Sequence, residues 1–466
     1  MKKKSGIILT LLVLVASLFS VKDSALAQTS ECKIQSSENH IVSLGFPMRK
    51  ERLSNIDNPK ILVIPFQLSD EPDYIFKDSF KTDYQAASDI ISDLSLGKVK
   101  VDFRFANPIT TILTNVDMEN QKATQQSSWM TDPEKSTWGL VRRLIKSNDA
   151  TIDFRGFNAV ILEGSTTSRY ADINEAMSFQ DEPQNPWFKS VQTDEGLISN
   201  AILLDNHAYP SIIAHEVLHL FGLTDLYGSG AGPGRLTLMS NMENSLLTFE
   251  KWVLGWHPDS RVTCITNPPA QGPTEVKIDL NLGGHLAIIP TTLGSGYILD
   301  ISKHKNSLFL SFYLLNNELR PPIQLFQPKL VRNQEGLPLA DVGTVGQVLR
   351  GPEFSAIITD LKDNMLTVSI LRSSNLESTE GQKIIGQATE NIKSANPYVT
   401  PQTSSITPIE PKAVDTLRTE SQNSNQSAKP AGVQKKKTSI FCTKGKSTLK
   451  VTNLQPKCPS GYKIRK

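Results

Sequence analysis

Two histidines and a glutamate, in the run His215-Glu216-Val217-Leu218-His219, are the residues on which any chemistry of this chain would turn. Four helical residues advance the chain by about 400°, so the imidazoles at 215 and 219 fall one turn apart on nearly the same face. From there both can reach one tetrahedral zinc ion, at about 2.0–2.1 Å from nitrogen. Glu216 projects about 100° around the helix from His215. There its carboxylate can take a proton from a water polarised by the metal and pass it to a leaving amine. The helix starts at Pro210-Ser211, with Ser211 as the expected N-cap, and stops at Gly222. It is otherwise apolar: Ile212, Ile213, Val217, Leu218, Leu220 and Phe221. Buried histidines often find backbone partners. Two on one face of an apolar helix, beside an equally costly glutamate, call for a compensating charge, and a metal supplies it.

The longer spacing His215-x-x-x-His219-x-x-Gly222-x-x-Asp225 adds a third ligand. Glycine takes backbone angles that turn the chain sharply back, and the Asp225 carboxylate is an acceptable zinc donor. Three protein ligands leave a fourth position for water, which marks a catalytic rather than a structural site. A rival arrangement takes its third ligand from a glutamate further on, and Glu243 and Glu250 are available. Gly222 and Asp225 favour the aspartate. His207 reads as an ordinary loop residue.

The stretch from His215 to Tyr227, with Leu238-Met239-Ser240 and Phe249-Glu250-Lys251-Trp252-Val253-Leu254-Gly255-Trp256, resembles the immune inhibitor A family of secreted bacterial zinc metallopeptidases. Weaker echoes are Val63-Ile64-Pro65-Phe66 with Asp70, and Ser95-Leu96-Gly97-Lys98-Val99. The resemblance spans about residues 59–257 and is strongest over 201–256. It implies a metzincin-like zincin fold, endopeptidase activity on proteins, and often calcium. It also implies that Met239 forms a methionine-bearing turn under the metal, a role compatible with plain core packing. Tyr227 could assist an oxyanion, although a packed tyrosine is the favoured reading. Thr224 and Gly228 depart from the family pattern, which bears on calcium and loop geometry rather than on zinc. Asp172, Glu175, Asp181 and Glu182 could hold Ca2+, but they lack EF-hand spacing and read better as a solvated loop.

Several elements must position these residues. Lys60 to Phe66 reads as a buried strand, 80–95 as a helix and Lys98 to Phe105 as a half-buried strand. Trp138 to Ser147 reads as a helix, Phe157 to Leu162 as a buried strand, 170–198 as loop-rich and polar, and Ala201 to Leu204 as a strand leading to the histidine helix. Strands alternating with helices predict an α/β (α+β) catalytic domain over 59–257. From 258 to 372 short apolar runs between turns predict an antiparallel, sandwich-like β-rich domain. Examples are Glu275–Ile278, His285–Ile289, Leu308–Tyr313 and Met365–Leu371. Residues 373–437 are rich in Ser, Thr, Gln, Asn and Pro and read as a disordered linker. Residues 438–466 form a small Cys-containing tail.

At 466 residues the chain exceeds one typical core. Lys2 to Lys4, the apolar run from Ile7 to Phe19 and Ala25-Leu26-Ala27 predict a signal peptide over 1–27, cleaved to leave Gln28. No later segment reads as a membrane span, so a secreted, extracellular protein is expected. Residues 28–58 read as an N-terminal arm or a short pro-segment. A cysteine switch at Cys32 is disfavoured by its surroundings. Four cysteines suit an oxidising compartment. Cys442 with Cys458 is the favoured pair. Cys32 with Cys264 would then form the second bridge, but the four cysteines allow two other pairings and spacing does not choose among the three. Net charge of +2 argues against a nucleic-acid binder. From Lys435 onward there are ten Lys or Arg and no acidic residue. A basic tail of this kind suits either an anionic envelope polymer or simple solubilisation. The expected function is secreted endopeptidase acting on protein or peptide substrates. The alternative is a catalytically inactive zincin-fold protein that binds the envelope or acts as an adhesin, against which Glu216 argues.

Overall fold

A computed structural model describes residues 30–37, 43–48, 52–53, 58–70, 79–112, 114, 116, 137–164, 177–180, 189–205, 208–227, 232–241, 244–304, 307–326, 345–392, 438–444, 447–453 and 463–464. These fall into two compact units, divided between residues 401 and 402. The expected signal peptide lies outside the described residues. Among the described residues, no helix is long and apolar enough to cross a membrane.

The chain is mixed α/β. Its first sheet runs in the order β2-β1-β4-β8-β5, with β1 Lys60–Gln67, β2 Asp102–Phe105, β4 Ala159–Gly164, β5 Met177–Gln180 and β8 Asn200–Asp205. The short β3, Ile109–Thr110, also pairs with β1. The β2, β1, β4 and β8 neighbours are parallel, and β5 closes the edge antiparallel to β8. Alternate residues of each strand face opposite layers. Ile61, Val63, Ile161, Ile202 and Leu204 pack with α1 (Ser79–Leu94), α3 (Pro210–Phe221) and their neighbours. Leu62, Ile64, Phe66, Leu162 and Leu203 pack with Leu140, Val141 and Leu144 of α2 (Thr137–Ser147). With both faces covered, β1 is buried along almost its whole length, as a parallel strand between two helical layers must be.

The strand expected over Lys98–Phe105 begins only at Asp102, because its partner β1 starts at Lys60, which stands opposite Asp102 in the register. The Lys98 ammonium is then held by the carbonyls of Gly255 and Trp256, at 3.1 and 3.0 Å. The loop-rich stretch 170–198 includes β5 and a hairpin of β6 (Val191–Thr193) with β7 (Gly196–Ile198).

The β-rich segment holds two sheets. One has the order β10-β17-β16-β15 and the other β14-β13-β12-β11-β9. Their strands are β9 Val262–Cys264, β10 Thr274–Asp279, β11 His285–Thr292, β12 Ser295–His304, β13 Ser307–Asn316, β14 Ile323–Leu325, β15 Val348–Arg350, β16 Phe354–Lys362 and β17 Met365–Arg372. All pairings are antiparallel except that of β9 with β11. One core of Val276, Ile278, Leu299, Phe312, Ile358 and Val368 lies between the two sheets. The opposite face of the second sheet carries Leu286, Ile288, Ile298, Tyr313 and Leu315, and these join the core that holds α3. The β-rich segment and the histidine helix therefore share one hydrophobic core.

Composition places 373–392 in a linker, but the chain there folds. It forms a helix, Thr379–Ile392, whose Ile384 and Ala388 pack with Leu376 on Ile357 and Leu371 of the sheet. An apolar pair spaced by one helical turn is enough when a sheet face is there to receive it. The second unit is a small sheet in the order β19-β18-β20, formed by β18 Thr438–Lys444, β19 Ser447–Asn453 and β20 Lys463–Ile464.

Candidate metal centre

The N-cap of α3 lies two residues before the expected Ser211. Tyr209 is the N-cap, with extended backbone angles and no side-chain cap, and Pro210 occupies the first turn. Proline suits that position because its φ is already helical and the N–H it lacks would be unpaired there. Ser211 is thus inside the helix. At the other end Gly222 takes φ +113, and its N–H reaches the carbonyls of Leu218 and His219. The N–H of Leu223 returns to Leu218. This cap ends the helix and redirects the chain towards Asp225.

His215, Glu216 and His219 lie together, with one potential ligand atom of each within 4.8 Å of the others. His215 and Glu216 are buried in the apolar core. The two imidazole rings meet edge to face at 4.7 Å between centroids. Each ring is held by its Nδ1. That of His215 lies 2.9 Å from the carbonyl oxygen of Leu238, and that of His219 lies 2.8 Å from the carbonyl oxygen of Leu223. A carbonyl only accepts, so each Nδ1 carries the proton and each Nε2 keeps its lone pair.

Asp225 completes the group. Its Oδ1 stands 3.2 Å from Nε2 of His215 and 3.2 Å from Nε2 of His219. That oxygen is buried and makes no hydrogen bond. The distances allow ion pairing, but the ring N–H groups are spent on carbonyls. Three lone-pair donors therefore face one point. The arrangement fits a tetrahedral zinc ion, whose ligands, at about 2.0–2.1 Å from the metal, stand about 3.3 Å from one another. The electrostatics agree. Burial alone would lower the pKa of His219, but the Asp225 and Glu216 carboxylates outweigh it and raise it to about 9. Burial likewise opposes ionisation of Asp225, yet the two imidazoles hold its carboxyl far below the usual range. The site collects positive charge, as a proton or as a cation.

The floor of the site comes from a distant segment. Met239 is fully buried in the short helix α4, Leu238–Asn241, and its carbonyl accepts the N–H of Leu226 at 2.8 Å. The residue of that segment that touches His215 is Leu238, through its backbone carbonyl. No side-chain signal could have identified Leu238 or Leu223, because both act through backbone oxygen. Tyr227 is not packed away. It is 53% exposed and stacks on His215 at 6.4 Å with an interplanar angle of 23°.

Glu250 is buried in α5, Thr248–Val253, where its Oε2 accepts the N–H of Leu247 at 2.8 Å. It serves its own helix terminus, and it is Asp225 that stands beside both Nε2 atoms. Glu243, His207 and Gly228, and the acidic residues considered for calcium (Asp172, Glu175, Asp181 and Glu182), lie outside the described residues. Cys32 and Cys264 form a disulfide, which selects one of the pairings that spacing leaves open. Compared with known proteins, the chain matches no family model and no curated sequence.

Proposed function

We propose that this chain is an exported zinc-dependent endopeptidase with a metzincin-like zincin fold, acting on protein or peptide substrates. The observation that carries this reading is the buried Asp225 Oδ1, which makes no hydrogen bond and stands 3.2 Å from each of two imidazole nitrogens. The parallel sheet beneath α3, with its antiparallel edge strand β5, supports it. So does the core that the helix shares with the methionine turn.

His215, His219 and Asp225 would hold the ion. Zinc bound there supplies Lewis acidity and lowers the pKa of a coordinated water towards about 7. The rest falls to the chain. The carbonyls of Leu238 and Leu223 keep both imidazoles in the tautomer that presents Nε2. Glu216, with Oε1 3.9 Å from Nε2 of His215, is the group that takes a proton from the attacking water and delivers it to the departing amine. The apolar packing around α3 excludes bulk water from behind the site, which strengthens each of these interactions.

The test uses the mature secreted protein. It should bind one zinc per chain and cleave casein, and chelation should abolish cleavage until zinc is restored. Glu216→Gln should keep its zinc and lose activity by about 10²–10⁴-fold. If the wild type, with zinc bound, cleaves a mixed peptide library no faster than Glu216→Gln, the enzyme reading fails and a non-enzymatic binding protein takes its place.

A further inference from the structure

The described residues 32–37, 43–48 and 52–53 have a place in the site that neither a pro-segment nor a passive arm would need. Cys32 is bonded to Cys264, 232 residues away. The N–H of Gln35 reaches the carbonyl of Leu293 at 2.6 Å. The Asn317 amide donates to the carbonyls of Gln35 and Leu44, at 2.7 and 2.9 Å. Phe46 packs on Phe249 and Trp252. The arm is thus tied to the β-rich segment and to the helix α5, and Met48 reaches Gly222 beside the metal site.

The contact is with Gly222. The Met48 methyl fills the space that a Cβ at 222 would take, and the Arg52 stem lies 3.4 Å from that point. This glycine turn serves two ligands at once. Its left-handed backbone leads to Leu223, whose carbonyl holds His219 Nδ1 at 2.8 Å. Two residues further on the same turn delivers Asp225. A shift of the turn would therefore move one ligand and release the tautomer of another.

We propose that Met48 is a positioning residue for the metal centre, and that the arm carrying it is a retained buttress of the working protein. The proposal rests on the zinc reading above. Met48 seals the back of the 222–225 turn with a flexible, polarisable side chain that can follow the backbone without a gap. The disulfide and the Asn317 clamp keep it in place.

The experiment measures zinc affinity by chelator competition, together with the melting temperature of the metal-free protein. The proteins compared are wild type, Met48→Ala, Met48→Leu and Val276→Ala. Val276 belongs to the core between the two β sheets and serves as a control for general destabilisation. Met48→Ala should weaken zinc binding about 10–100-fold, the usual cost of losing support behind a ligand. Met48→Leu, which conserves volume, should restore most of it. Val276→Ala should lower the melting temperature and leave zinc affinity unchanged. If Met48→Ala does not fold, Met48→Val is measured in its place against the same expectation. Equal zinc affinity in wild type and the truncated variant overturns the proposal, as does an equal loss in Val276→Ala. If the wild type itself takes up no zinc, the metal reading falls and this proposal falls with it. Zinc uptake by wild type that Met48 does not influence removes only the proposal.

Discussion

Asp300, on β12, accepts the backbone N–H of Thr248 at 3.1 Å through Oδ1, and that of Phe249 at 3.0 Å through Oδ2. A carboxylate of the β-rich segment thus caps the helix α5. The N-cap residue is Leu247, whose side chain has no oxygen with which to cap. Asp300 also accepts from Tyr313 at 2.9 Å and from Ser302, and it is fully buried. Burial raises its pKa, and these hydrogen bonds pull it back. Asp300→Ala would leave the Phe249 N–H and the Tyr313 phenol without their acceptor, while the Thr248 N–H keeps Ser302 Oγ at 3.0 Å. It should cost about 3–5 kcal/mol, with Asp300→Asn milder, as read by urea denaturation.

Glu250 gives a pH signature. Burial raises its carboxyl to about 8. Between roughly pH 4.5, the usual value, and pH 8 the folded chain holds a proton that the unfolded chain has released. Stability from this group is therefore complete at the acid end and falls as pH rises through that window, by roughly 1.4 kcal/mol per pH unit. Glu250→Gln keeps a neutral side chain and should remove this contribution. The stability difference between variant and wild type should move in favour of the variant from pH 5 to pH 8. A difference independent of pH would contradict the assignment.

The Cys32–Cys264 bond closes a loop of 232 residues. Such a link acts mainly on the unfolded chain. Replacing both cysteines by serine should lower stability by roughly 2–5 kcal/mol, seen as a fall in the chemical denaturation midpoint. Reductant should produce the same fall in the wild type, whereas in the variant, which keeps Cys442 and Cys458 in the second unit, the transition of the first unit should not move.

Tyr227 lies against His215 with its ring half exposed. If its hydroxyl donates to the oxyanion that forms during cleavage, Tyr227→Phe should lower kcat by about 10²–10³-fold with KM and zinc content little changed. An unchanged kcat would reduce Tyr227 to a packing partner of the imidazole.

What the amino-acid order determined by itself is local. The four-residue interval puts His215 and His219 on one helical face, and Gly222 ends that helix in a left-handed cap, because both follow from a few consecutive backbone angles. The apolar runs at 60–66 and 157–162 announced buried strands for the same reason. What only the tertiary structure decided depends on partners far apart in sequence. The Leu238 carbonyl behind His215, the Met48 methyl behind Gly222 and the Asp300 cap on α5 involve groups brought together by the shared core. No residue type betrays them, since a backbone oxygen looks alike at every position and a methionine is equally at home in any core. The helix at 379–392 was hidden for a related reason: its small apolar pair is too weak to form a helix alone, and it is held by Ile357 and Leu371 of a sheet that must already exist.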